Sequence, residues 1–188
     1  MAVGSKLKRA GWLSLVILFV GTGLGIGVWG FWEATHPPEE EKVSEESSVK
    51  CTTDTKITEL QTTSTPLAGT KLPNFTPVEK VSQLQCIDGV VGSGPKATSV
   101  STVTANYTGA LAKDGVIFES SLDGGQPATF PLSQVIAGWT EGVPGMQPGG
   151  TRRLIIPANL AYGSTPPAGS GIPANAALVF DITLISVQ

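Results

Sequence analysis

Ser133-Gln-Val-Ile-Ala-Gly-Trp-Thr-Glu141 places Val135, Ile136 and Trp139 at i, i+1 and i+4, one apolar face of a short helix with Ser133 as its N-cap. On either side of it the pattern changes to alternation. Upstream, Ser101-Thr-Val-Thr-Ala-Asn-Tyr107 alternates and is rich in β-formers, and Gly115-Val-Ile-Phe-Glu-Ser120 reads as a second strand. Asp114-Gly115 between them is a turn signal. Ala128-Thr-Phe-Pro-Leu132 is a short third strand, and Pro131 confines it to an edge or bulge. Downstream, residues 142–150 form a turn region and Thr151 to Ile156 a strand. Ala177 to Val187 is a long strand with Leu178, Phe180, Ile182 and Leu184 on one face. Strands around a single short helix, with no internal repeat, read as an α+β domain on an antiparallel sheet.

Composition narrows the function. The 188-residue chain carries a net charge of −3, and charged residues make up only 14% of it. Its basic clusters are Lys6/Lys8/Arg9 and Arg152-Arg153, too little for a nucleic-acid surface. Arg152-Arg153 itself reads as a solvated strand position and its neighbour. With one histidine, His36, and two cysteines, Cys51 and Cys86, the domain has no Ser-His-Asp or Cys-His site. Nor has it a zinc site built from Cys and His, and no cofactor motif is present. Its chemistry must run without imidazole.

Trp12 to Trp32 is a 21-residue stretch without charge. As a helix it is ~31 Å long, which matches a ~30 Å hydrocarbon core. Lys6, Lys8 and Arg9 precede it, and Glu33, Glu39, Glu40, Glu41, Glu45 and Glu46 follow. The positive-inside rule then expects residues 1–11 in the cytoplasm, 12–32 as a single-pass anchor in the cell membrane, and the rest outside. The competing reading is a cleaved signal peptide. Its apolar core would be only ~7–15 residues and would end in a small-x-small site, which Val28-Trp29-Gly30 does not supply.

Residues 33–79 read as a Ser/Thr/Glu-rich flexible tether, with a folded domain over 80–188. About 40 such residues span roughly 35 Å on average. Cys51 and Cys86 both fall outside the expected membrane, where disulfides persist. Two readings stay open: a bridge tying the tether to the domain's first strand, or two free thiols.

Motifs along 81–187 resemble the FKBP-type peptidyl-prolyl isomerases. They are Val103-Thr-Ala-Asn-Tyr-Thr-Gly109, Gly115-Val-Ile-Phe-Glu-Ser-Ser121, Val135-Ile-Ala-Gly-Trp139, Gly142-Val-Pro-Gly-Met146 and Gly149-Gly-Thr-Arg-Arg153. Ile156-Pro-Ala-Asn-Leu-Ala-Tyr-Gly163, Gly171-Ile-Pro173 and Leu178-Val-Phe-Asp181 follow in the family's order. The resemblance implies a five- or six-stranded antiparallel sheet wrapped around the helix, with an aromatic pocket between them. Carried over position by position, the pocket is Tyr107, Phe118, Phe130, Val135, Trp139, Ile172 and Phe180 for binding, with Ile136, Tyr162 and Glu119 as the catalytic positions. Trp139 is the expected floor, Ile136 N–H and the Tyr162 hydroxyl the expected donors to substrate, and Glu119 a polar rim group. Neither a metal nor a cofactor is implied. The expected partners are proline-containing polypeptides, and macrolide inhibitors are candidate ligands.

The sequence departs from the family's pattern in four places. Glu119 stands where Asp is usual, Ala128 follows Pro127 where many members have Phe, and Leu122-Asp-Gly-Gly125 lacks an Arg often found there. The loop from Gly163 to Gly171 is about one residue longer. The resemblance implies isomerisation of X–Pro bonds, and the expected topology makes the substrates exported or surface proteins whose folding it assists. The alternative is a non-catalytic module that holds a proline segment without turnover.

Overall fold

The computed structural model of the chain describes residues 49–54, 56 and 66–188. The expected cytoplasmic segment, the 12–32 span and most of the tether lie outside the described residues. Among the described residues no helix is long and apolar enough to cross a membrane.

The described residues form seven strands and one α-helix, in the order β1 (Thr52–Thr53), β2 (Gln85–Asp88), β3 (Thr102–Leu111), β4 (Ile117–Ser120), β5 (Ala128–Pro131), α1 (Ala137–Gly142), β6 (Thr151–Ile156) and β7 (Leu178–Val187). They form one sheet in the order β1-β2-β6-β7-β3-β4, with β5 also paired to β3. The two ten-residue strands β3 and β7 pair along their whole length, from Val103↔Val187 to Leu111↔Leu178. The outer edge of β3 is shared. Its first half takes β5 (Thr102↔Pro131) and its second half takes β4 (Thr108↔Ser120). Pro131 thus sits on an edge strand, where its missing N–H costs no ladder bond.

All pairings are antiparallel but one. Thr52–Thr53 pairs in parallel with Ile87 and Asp88, which adds a strand to the expected five or six. The cause is covalent: Cys51 and Cys86 are bridged, with Cα atoms 4.5 Å apart, and the residues after Cys51 are delivered to the edge of β2.

Both faces of the sheet are covered, and alternation along each strand decides what goes where. Leu154 and Ile156 of β6, with Leu178, Phe180, Ile182 and Leu184 of β7, pack against Leu132, Trp139, Val143 and Met146. Ile155 and Val179 face the other way and pack with Leu67, Leu72, Ala110 and Ile117. Residues 66–79, which the composition assigns to the tether, therefore belong to the packed unit. Leu67 and Leu72 are buried, and the Asp123 carboxylate accepts from Leu67 and Ala68 N–H at 2.7 and 3.2 Å.

Arg152 and Arg153 are 6% and 4% exposed, so neither is the solvated position expected of it. They point to opposite faces of β6. Arg152 pairs with Asp88 (2.6 Å) and donates to the carbonyls of Gly142 and Pro144, at the C-terminal end of α1. Arg153 pairs with Asp181 through both carboxylate oxygens (2.6 and 2.7 Å) and donates to the carbonyls of Asn74 and Pro73, with Phe75 against its guanidinium. Each arginine thus fastens the element that covers its face.

The helix starts later than the cap signal predicts. Leu132–Gln134 is a 3-10 turn, Val135 is extended (φ −106°, ψ 178°), and Ile136 occupies the N-cap position without a side-chain cap. Ser133 is spent in the preceding turn. The helix then lies close on β6 because Gly138 and Gly142 face it. A Cβ at Gly138 would run into the Ile156 side chain, and one at Gly142 would sit 2.8 Å from Leu154 Cδ1.

Arg153→Ala should lose about 3–5 kcal/mol, because it leaves Asp181 buried and unpaired. Denaturant unfolding of the oxidised full chain measures this. A loss below about 1 kcal/mol would mean that the clamp is dispensable.

Candidate functional site

Between α1 and the sheet lies a cavity of about 420 Å³, lined by Tyr107, Glu119, Phe130, Gln134, Val135, Ile136, Trp139, Tyr162 and Phe180. That volume suits a small ligand or a few residues of peptide. Its walls come from β3 (Tyr107), β4 (Glu119), β5 (Phe130) and β7 (Phe180). Its lip comes from the extended step at Val135 and Ile136 before the helix.

Trp139 is 4% exposed and meets three rings nearly edge to face: Phe130 at 5.3 Å, Phe180 at 5.4 Å and Tyr107 at 5.6 Å between centroids. Such pairs contribute about 0.5–1.5 kcal/mol each beyond area burial. They also fix the indole, so the floor of the cavity is rigid before any ligand arrives. Phe118 and Ile172 are not on the lining. Phe118 packs edge-on to Phe180 at 5.9 Å, and Ile172 is buried in the core cluster. Gln134 is on the lining and was not singled out by sequence reasoning. Its position directly before the apolar pair Val135-Ile136 is the signal that marks it.

The polar groups converge on the rim. The Tyr107 hydroxyl donates to Glu119 Oε1 at 2.8 Å. The Tyr162 hydroxyl has no protein partner among the described residues, and neither has the Ile136 N–H. Tyr162 follows the 3-10 turn Ala158–Leu160, and Gly163 holds that loop through Ala158 O (2.9 Å) and Asn175 N (2.7 Å). Burial, and then the Glu119 carboxylate, push the ionisation of both tyrosines above its ordinary range. The hydrogen bond to Glu119 adds to the effect at Tyr107. Both hydroxyls are therefore donors at any physiological pH.

The sequence departures have local explanations. Ala128 pairs with Ala105 in the β3–β5 ladder and is off the lining. In the Leu122–Gly125 turn, where the Arg is missing, Asp123 is engaged with the backbone of Leu67 and Ala68.

A short helix over one face of a mostly antiparallel sheet, with an aromatic cavity between them, is a known arrangement. Residues 94–185 match the family model described as FKBP-type peptidyl-prolyl cis-trans isomerase. The FKBP-type peptidyl-prolyl cis-trans isomerase FkpA of Aeromonas hydrophila is 54% identical over 97 residues, covering 52% of this chain and 34% of its own length. A probable FK506-binding protein of Corynebacterium glutamicum is 48% identical over 100 residues, covering 53% of this chain and 82% of its own. The crystal structure of a peptidyl-prolyl cis-trans isomerase from Pseudomonas syringae pv. tomato superposes with a TM-score of 0.51. It has 37% identity, over 56% of this chain and 75% of that one. The chain belongs to the FKBP-type peptidyl-prolyl cis-trans isomerase family. It spans about a third of the length of the Aeromonas relative, so the likeness is of the isomerase domain.

Tyr107 and Tyr162 are the chain's two tyrosines, which makes their titration directly readable. Free tyrosine is half ionised near pH ~10, so the folded chain should show little tyrosinate absorbance there, with the full signal on denaturation. The sign of the linkage follows. The raised folded-state values favour the protonated fold, and that stabilisation is whole below pH ~10 and lost as pH rises through the shifted values. Ordinary titration of both residues in the folded chain would contradict the described burial.

Proposed function

We propose that this chain is a prolyl isomerase, tethered to the cell membrane by residues 12–32, that acts on X–Pro bonds of exported proteins on the outer side. The observation that carries the catalytic part is the rigid aromatic box with two donors at its rim, Ile136 N–H and the Tyr162 hydroxyl, that have no partner among the described residues.

The physics of amide rotation explains why that is sufficient. Rotation about the peptide bond costs ~18–20 kcal/mol because it breaks the resonance between nitrogen and carbonyl. The twisted amide has lost the charge-separated form and is less polar than the planar one. An apolar box over Trp139 therefore disfavours the planar ground state more than the twisted state. Hydrogen bonds from Ile136 N–H or Tyr162 hold the chain on one side of the rotating bond while the prolyl ring sits on the indole. Each 1.36 kcal/mol of such differential binding is a factor of ten in rate. No step needs a proton to leave the substrate, and so none needs a base. Glu119 orients Tyr107 through their 2.8 Å hydrogen bond and abstracts nothing.

The location rests on three features. The uncharged stretch 12–32 has the length of a membrane span, basic residues precede it and acidic ones follow it. The Cys51–Cys86 bridge favours an oxidising compartment for the domain.

The full chain in detergent micelles should accelerate cis–trans exchange of an X–Pro peptide, and FK506 should compete with that activity. A folded, oxidised chain that gives no acceleration at micromolar concentration would overturn the isomerase reading and support a module that holds proline segments without turnover. The topology has its own test. Protease added to intact spheroplasts should remove the domain. Full protection, or a mature chain beginning near Glu33, would overturn the N-in anchor.

A further inference from the structure

We infer that Glu119 is a specificity-determining residue, and that this isomerase favours X–Pro segments with a lysine or arginine side chain within two positions of the proline. The inference rests on the isomerase reading above and concerns the same pocket.

The argument starts from a charge count at the cavity. Of its lining residues, five are aromatic (Tyr107, Phe130, Trp139, Tyr162, Phe180) and one, Glu119, is charged. Glu119 lies on the exposed rim, and among the described residues its carboxylate accepts one hydrogen bond, from a neutral donor, the Tyr107 hydroxyl, on Oε1. Nothing among the described residues neutralises it. The two ion pairs found there belong to Arg152 with Asp88 and Arg153 with Asp181, both in the interior of the sheet. The nearby turn at Leu122–Gly125 supplies Asp123 and no cation. The mouth of an otherwise apolar pocket thus presents an open anionic site beside the two rim tyrosines.

A peptide whose proline enters the box must run its neighbouring residues across this rim. A cationic side chain there can reach the free Oε2 while its methylenes lie on the aromatic edges. A carboxylate in the same place meets an unneutralised like charge. The site is exposed, so the gain is that of a surface pair, about two- to fivefold in kcat/KM over a leucine peptide, with acidic peptides disfavoured by a similar factor. It should weaken with salt as the screening length falls from ~30 Å at 0.01 M to ~3 Å at 1 M.

The test compares kcat/KM of the full chain on matched X–Pro peptides carrying Leu, Lys or Glu, placed before the proline in one series and after it in another. At low salt, Lys should exceed Leu and Leu exceed Glu in at least one series, and the order should flatten at high salt. Glu119→Gln keeps an acceptor for Tyr107 and removes the charge, so its Lys-to-Leu ratio should fall to about one. Glu119→Lys should reverse the order. Acceleration of the leucine peptide without any Lys preference in the parent chain would overturn this inference while leaving the isomerase reading intact. So would a preference that persists in both variants. No acceleration of any peptide would defeat the isomerase reading itself.

Discussion

Strand β6 runs through the interior of the sheet, so every side chain on it must be matched on one face or the other. Alternation sends Leu154 and Ile156 to the helix side and Ile155 to the other. It also splits the two arginines. A guanidinium carries five donors and stays charged in the interior, and it can be held there only if carboxylate and carbonyl oxygens surround it. Arg152 finds Asp88 and the end of α1, and Arg153 finds Asp181 and the backbone at Pro73 and Asn74. The two layers that cover the sheet are thus fastened to neighbouring residues of one strand. The helix cannot shift along β6 without breaking charge-assisted hydrogen bonds, and the pocket between them inherits that fixity.

The pocket itself follows from a mismatch of lengths. A six-residue helix cannot bury the whole face of a sheet built on two ten-residue strands. Trp139 makes up part of the deficit by packing edge-on against rings from β3, β5 and β7. What the indole does not cover is left open as the cavity. The same shortage that limits the core therefore creates the binding site, and the glycines at 138 and 142 bring the helix close enough for a single side chain to reach.

Much of this was legible in the chain. β6 and β7 announce themselves by alternation, and Leu178, Phe180, Ile182 and Leu184 do share one face. The aromatic set with Ile136 and Tyr162 was legible through ordered motifs, although periodicity alone would make those rings ordinary core. Other features were hidden for physical reasons. The partners of Arg152 and Arg153 lie 64 and 28 residues away, and no local pattern reports a pairing across strands. Leu67 and Leu72 sit in a Ser/Thr/Pro-rich stretch whose composition suggests an extended chain, yet the two buried leucines, the Asp123 carboxylate and the Arg153 bonds to Pro73 and Asn74 dock it. Ser133 offered a cap, but the extended Val135 moved the helix start past it. Phe118 is not among the residues lining the cavity; its ring packs edge-on against Phe180.

The bridge between Cys51 and Cys86 also sets a path for mechanical load. It closes residues 52–85 into a covalent loop, so tension arriving from the N-terminal side of Cys51 crosses the sulfurs and enters β2 directly. Strand β2 is held to β6 by the antiparallel ladder from Gln85↔Ile155 to Asp88↔Arg152, and those bonds bear the pull. The stretch containing Leu67, Leu72 and the Pro73–Asn74 carbonyls carries none of it. With the sulfurs reduced, the same tension would run along residues 52–85. It would then bear first on the short pairing of Thr52–Thr53 with β2, and next on the segment that covers the second face of the sheet, ahead of the long strands and ahead of the pocket.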